Sequence, residues 1–162
     1  MAFTVDFEVT RTEEVACPYD RVFDVLADVP ESVSHFPKVE ELEDLGGGVY
    51  RWNMQKIGVD KYHIQTIYAC KYTSDRGKGR VKWTPVKGQG NATVKGQWTI
   101  KALDEATTRF TLKTSGEMEV PLPRLVKMAV APVVRREFTA MVDRYMENLC
   151  ATFEKRGKKK RK

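Results

Sequence analysis

The stretch VACPYDRVFDVLADVPESVSHFPKVEEL, residues 15 to 42, decides how this chain is built. It leaves an alternating segment, opens a helix behind Pro18, and is then stopped before Pro30 and again before Pro37. Val22, Phe23, Val25 and Leu26 fall on one helical face, and Asp20 sits in the first turn, where the helix dipole favours a carboxylate. Pro30 suits the start of a second short helix around Glu31 to His35, which Pro37 terminates. Helices this short are stable only against a larger apolar surface, so the expectation is that they pack under a curved sheet and close one end of it.

That sheet is written on both sides of the stretch. Upstream, Phe3, Val5, Phe7 and Val9 alternate with polar neighbours over residues 3 to 14, the period of a half-buried strand. Downstream, the runs VEELEDL, VYRWNMQKI, YHIQTIYACKYT, RVKWTPV, NATVKGQWTIKAL and TRFTLKTSGEMEV are separated by short turn segments such as GGG, GVDK, SDRGKG and DEAT. Connections of this length join only neighbouring antiparallel strands, so residues 39 to 119 are expected to form a meander. The period then changes. Val126, Val130, Val134, Phe138, Met141, Tyr145 and Leu149 mark one stripe of a long helix, which Pro132 is expected to divide into a short piece from Pro123 to Ala131 and a long one from Pro132 to Lys155. At 1.5 Å per residue the long piece spans roughly 35 Å, enough to cover one face of the sheet. The fold class is α+β: a seven-stranded curved antiparallel sheet, two short helices after the first strand, and a long C-terminal helix.

Composition bounds what this scaffold can do. At 162 residues with 41% hydrophobic and 31% charged residues, the chain is an ordinary globular domain. The net charge of +6 is uneven, because KRGKKKRK at residues 155 to 162 holds seven of the 28 basic residues and leaves 21 against 22 acidic ones. The reading is one domain over residues 1 to 154 and a basic disordered tail over 155 to 162, with no specific nucleic-acid footprint on the body. Lys158, Lys159, Lys160, Arg161 and Lys162 are candidate contacts for an anionic membrane surface, with a solubilising tail, a nuclear import address and RNA contact as the alternatives. Cys17, Cys70 and Cys150 are odd in number and lack C-x-x-C spacing, which reads as a reduced compartment. MAFTVDFEVTR lacks the pattern of a charged leader followed by an apolar run, and LVKMAVAPVV is too short to span a bilayer and carries Lys127, so neither secretion nor membrane spanning is expected. A cytoplasmic protein, peripheral at the membrane through its tail, is the expectation.

Chemistry is sparse. His35 and His63 lie in different elements and no cysteine has ligand spacing, so neither a metal nor a cofactor is expected. No G-x-S-x-G, H-E-x-x-H or G-x-G-x-x-G motif is present, and the glycines at 46 to 48 and 88 to 90 punctuate hairpins. Glu117 near the end of the sheet and Tyr68 are the candidates for proton transfer, since a carboxylate beside an apolar pocket has its pKa raised by desolvation.

The order of elements resembles the helix-grip fold of the START-like, Bet v 1-like superfamily, also called SRPBCC. VACPYDRVFDVLADVPESVSHFPKVEELEDL is similar to that superfamily's opening, and RVKWTPVKGQGNATVKGQWTIKAL is similar to paired strands of its polyketide cyclase/dehydrase and coenzyme-Q-binding branches. The likeness covers residues 3 to 153 and implies a cavity between sheet and C-terminal helix. Strand alternation independently supplies an inward set: Tyr50, Trp52 and Met54; Ile64, Thr66 and Tyr68; Trp83; Val94 and Trp98; Phe110 and Leu112. From the C-terminal segment, Leu125 and Met128 are expected at the entrance, with Val134, Phe138 and Met141 on the helix above the sheet. Such a set either fills a core or lines a pocket. The resemblance implies binding or transport of a hydrophobic small molecule, whether a lipid, an isoprenoid quinone or a polyketide-like compound. A polyketide cyclase/dehydrase-type enzyme and a protein-interaction module with a filled cavity are its alternatives.

Overall fold

The computed structural model describes residues 3–59 and 62–161, and side chains over 3–56 and 63–154. Strand β1 (Phe3–Val15) buries every second residue through Val9, as its alternation requires. Helix α1 (Tyr19–Ala27) follows with Pro18 at its N-cap and buries Val22, Phe23, Val25 and Leu26. Helix α2 (Val29–Val33) begins two residues earlier than expected, because the Asp28 side chain accepts from the Glu31 N–H at 3.3 Å and caps the turn ahead of Pro30.

The remaining strands are β2 (Val39–Gly46), β3 (Val49–Met54), β4 (Ile57–Val59), β5 (Tyr62–Ile64), β6 (Ile67–Asp75), β7 (Arg80–Val86), β8 (Ala92–Ala102) and β9 (Thr108–Val120). Six of them join β1 in one seven-stranded antiparallel sheet in the order β1-β9-β8-β7-β6-β3-β2. The meander is closed by β1, which lies along the whole of β9 from Phe3 opposite Val120 to Val15 opposite Thr108. Each of the runs VYRWNMQKI and YHIQTIYACKYT breaks in two, and their far ends pair as a separate ribbon with Ile57 opposite Ile64. The break has a local cause: the Gln65 amide donates to the Met54 carbonyl at 2.9 Å, and the Gln55 N–H turns away to the Lys38 carbonyl at 2.8 Å. In the middle of the sheet, Gly96 lets the Trp83 ring lie flat on β8, since a Cβ there would stand 2.7 Å from that ring.

After the 3-10 turn Arg124–Val126, helix α3 runs from Lys127 to Arg161 with Pro132 inside it. The expected division at Pro132 does not occur. Val130, Ala131 and Val134 are buried on either side of the proline, and this packing holds the helix continuous across the lost hydrogen bond. The helical backbone also continues through the segment read as a disordered tail. Side chains of Lys158, Lys159, Lys160 and Arg161 lie outside the described set, as does the whole of Lys162. The buried side of α3 packs over the sheet, where Phe153 meets Phe110 at 5.4 Å and Phe110 meets Trp98 at 5.7 Å between ring centres. No helix among the described residues is long and apolar enough to cross a membrane.

Candidate ligand cavity

The space between the sheet and α3 contains two small voids of about 40 Å³ each. The first lies toward α2, with Trp52 of β3, Tyr68 of β6, Trp83 of β7, Val94 and Trp98 of β8, and Leu112 of β9 in its walls. The second lies toward the N-terminal half of α3 and is lined by Met54, Thr66, Val134 and Met141 together with Phe7 and Met118. Phe36, Tyr68 and Phe138 border both. These three rings are the partition. Binding sites for small molecules occupy roughly 300–1,000 Å³, so each void as it stands has room for water and not for a ligand.

The walls are an aromatic shell. Trp52 and Tyr68 stack at 5.4 Å with an interplanar angle of 18°. Phe36 meets Trp52 edge-on at 5.3 Å and Tyr145 at 5.0 Å, and Trp98 meets Tyr145 at 5.7 Å. Offset and edge contacts of this kind are the preferred geometries of aromatic pairs.

The hydroxyls inside the shell are mostly satisfied by the protein. The Trp52 indole donates to the Tyr72 hydroxyl at 2.9 Å, and Ser32 and Tyr145 share a hydrogen bond between hydroxyls. The Thr66 hydroxyl points at the Met118 sulfur at 3.4 Å, and that of Thr114 donates to the Lys95 carbonyl at 3.3 Å. Tyr68 differs. It is 7% exposed, it lines both voids, and its hydroxyl has no hydrogen-bond partner among the described residues. Burial pushes the Tyr68 phenol well above its ordinary value, with the nearby Tyr72 adding to the effect. Burial also raises Tyr72 and Tyr145, and pushes the Cys70 thiol up to about 12. At neutral pH these groups are neutral donors and acceptors. Among the described residues, Glu137 is the one acidic or basic side chain that lines the voids, in the wall of the second, and Lys38 pairs with it at 3.1 Å.

Several expected site residues lie elsewhere. Glu117 is exposed on the other face of the sheet, along an open groove of about 730 Å³ with Asp6, Lys95 and Arg135, so it does not meet Tyr68. In that groove a hydrogen bond from Arg135 holds the Asp6 carboxyl below its usual range. Tyr50 is half-buried near Tyr72, outside both voids, and Phe110 and Ile64 are buried in packing behind them. Leu125 and Met128 do not face an entrance; they stand 95% and 90% exposed. The physical reason is helical phase, since Val126, Val130 and Val134 take the inward positions of the first turns. Both histidines lie outside the voids: His63 is exposed, and His35 approaches the Glu31 carbonyl at 2.9 Å and the Thr152 hydroxyl at 2.8 Å. Among the described residues no group of His, Cys, Asp and Glu could hold a metal ion.

Sequence reasoning passed over Ser32, Phe36 and Tyr72 as lining residues. Tyr72 follows Tyr68 by two strand periods and Tyr145 follows Phe138 by two helical turns, so periodicity carried both signals. Ser32 and Phe36 carried none, because their approach depends on how α2 docks.

With this geometry in view, residues 6–154 match the family described as polyketide cyclase / dehydrase and lipid transport. The chain belongs to that family. Its helix-grip fold is that of the START-like superfamily. Among solved structures, the Zhui aromatase/cyclase of a Streptomyces species superposes with a TM-score of 0.63 at 20% identity, covering 97% of this chain and 96% of that one. A START superfamily protein from Mycobacterium smegmatis gives 0.63 at 15% identity over 91% and 97%. A conserved protein from Geobacillus kaustophilus gives 0.65 at 13% identity over 94% and 96%. At these identities the likeness shows the fold alone. No curated protein matches the sequence.

Proposed function

We propose that this member of the polyketide cyclase/dehydrase and lipid transport family binds a planar, hydrophobic, oxygen-bearing small molecule, polyketide-like or an isoprenoid quinone, and carries or senses it without chemistry. The observation that carries the reading is Tyr68: a buried phenol with no hydrogen-bond partner among the described residues, in the lining of both voids. An unmet donor inside an apolar shell is costly to keep, and a ligand carbonyl or hydroxyl would satisfy it. The stacked Trp52 and Tyr68 rings and the edges of Phe36 and Trp98 favour a flat conjugated partner over a flexible acyl chain. Binding requires that Phe36 and Phe138 turn aside and join the two voids into one.

The cyclase reading is favoured by the same phenol. A neutral Tyr68 can hydrogen-bond a substrate oxygen or lend it a proton, but among the described residues the one carboxylate lining the voids, Glu137, is paired with Lys38. The interaction-module reading is favoured by the small size of the voids, about 40 Å³ each.

The test is native mass spectrometry of the protein purified from a lipid- and quinone-rich extract, followed by titration with a naphthoquinone and an anthraquinone read by tryptophan quenching. Trp98→Ala and Phe138→Ala should weaken binding more than tenfold and Lys113→Ala not at all; equal effects from all three would remove the pocket assignment. Tyr68→Phe should lose about tenfold, roughly 1.4 kcal/mol. A product released from a polyketide chain would establish catalysis. A protein that stays empty after every incubation would transfer the reading to the interaction module.

A further inference from the structure

The exposed large apolar side chains of this protein are unevenly placed. Leu45 and Leu103 are 43% and 38% exposed, whereas Leu125 and Met128 stand almost free at 95% and 90%. These two lie at i and i+3 at the junction of the 3-10 turn and α3, so they share one face. Exposed Ala129 and Pro132 continue that face, while Val130, Ala131 and Val134 fill the opposite one. The first turns of α3 are therefore apolar on both sides, although only one side has protein against it. In a globular protein a helix surface of this kind is covered by something.

Charge indicates what. Between Glu119 and Glu137 the chain carries Arg124, Lys127, Arg135 and Arg136 and no acidic residue. Arg135 is held by Asp6 at 2.8 Å, but Arg124, Lys127 and Arg136 have no salt bridge among the described residues. Pro121 and Pro123 precede the face and fix the approach of the chain, with the Val126 N–H bonded to the Pro123 carbonyl at 3.1 Å. Repulsion between two such basic faces disfavours the pairing of this face with itself in a second copy of the chain. A folded acidic protein needs a broad complementary surface, and side chains this exposed protrude from the surface rather than line a groove. A fluid bilayer accepts protruding apolar side chains and supplies the anionic headgroups.

We propose that residues 120–136 dock this protein on anionic phospholipid bilayers, with Leu125 and Met128 entering the acyl boundary and Arg124, Lys127 and Arg136 meeting headgroup phosphates. The docked face lies beside the second void, whose wall includes Val134 one helical turn beyond Val130. It does not depend on whether the cavity holds a ligand.

The experiment is flotation of the full chain with vesicles of phosphatidylcholine alone and of three parts phosphatidylcholine to one part phosphatidylglycerol. Binding should need the anionic lipid. It should fall at least tenfold in Leu125→Asp/Met128→Asp, fall and become less salt-dependent in Arg124→Gln/Lys127→Gln, and change by less than threefold in Lys158→Gln/Lys159→Gln/Lys160→Gln. A Leu125→Trp variant, with melting unchanged at so exposed a position, should be quenched by brominated acyl chains. The proposal is overturned if wild type stays with the pellet, if the tail variant alone abolishes flotation, if brominated lipid leaves the emission of the Leu125→Trp variant unchanged, or if the Leu125/Met128 pair proves necessary for capturing an acidic protein and dispensable for vesicles.

Discussion

Three phenols, Tyr68, Tyr72 and Tyr145, sit in the aromatic shell, and for each the charged form is disfavoured chiefly by burial. Their folded pKa values lie above the ordinary value of 10.0, which sets the sign of a measurable effect. Below the unfolded value both states are neutral and the stabilisation is complete. Above it the unfolded chain releases protons that the folded chain retains, so stability falls as pH rises from about 10 toward the folded values. Titration of the tyrosinate band should therefore show these phenols ionising only together with loss of near-ultraviolet circular dichroism. Early ionisation of all six tyrosines in the folded protein would show that the shell is wet. At this scale the candidate site was only partly legible in the sequence: strand parity marked Tyr68, Trp83 and Trp98 as inward, but it had no means of telling which phenol would find a partner. Tyr72 is met by Trp52 and Tyr145 by Ser32, each from another element, and Tyr68 by neither.

Among the elements, α3 shows local propensity overruled by packing. Proline inside a helix costs about 3 kcal/mol relative to alanine, and the sequence alone argued for a break at Pro132. The helix persists because its inward face is buried directly on both sides of that residue. Pro132 itself is exposed, so Pro132→Ala should restore the missing hydrogen bond without disturbing the core. We expect a gain of about 1–3 kcal/mol in urea unfolding with an unchanged slope. A loss of stability would mean that the proline is needed to shape the first turns. The β4–β5 ribbon shows the converse case, in which alternation correctly marks extended chain but cannot show that Gln65 ends the pairing with β3.

For the whole molecule, the manner in which α3 is held decides how the interior can open. Along one side it is tied to the edge strand β1 by Arg11–Asp143 at 2.6 Å and Arg135–Asp6 at 2.8 Å. Along the other, the ties go to the region of α2: Lys38–Glu137 at 3.1 Å, the Asn148 amide to the His35 carbonyl at 2.9 Å, and the Ser32–Tyr145 contact. Lys38 is also the one non-glycine residue among those described with a positive φ, 61°, a conformation that stores strain beside the rim of the second void. The Lys38–Glu137 pair bridges α3 and the segment after α2 at that rim, and on the proposed function it would act as a latch. Glu137→Ala should speed both uptake and release of a quinone probe in stopped-flow quenching by up to about fivefold, the worth of an exposed ion pair near 1 kcal/mol, with a much smaller change in affinity. An unchanged exchange rate would place the opening elsewhere.

By itself the sequence determined most of the elements, the antiparallel meander and the long covering helix, because each is set by periodicity and turn chemistry within a few residues; the superfamily was carried by the resemblance of residues 3 to 153. The inward faces of the strands followed from the same period-two rule. Only the tertiary structure decided that β1 closes the sheet on β9, that Glu117 lies on the other face from Tyr68, that three rings divide the interior, and that Leu125 and Met128 point to solvent. Those outcomes depend on contacts between residues far apart in the chain and on the rotational phase of α3 over the sheet, and no local pattern encodes either.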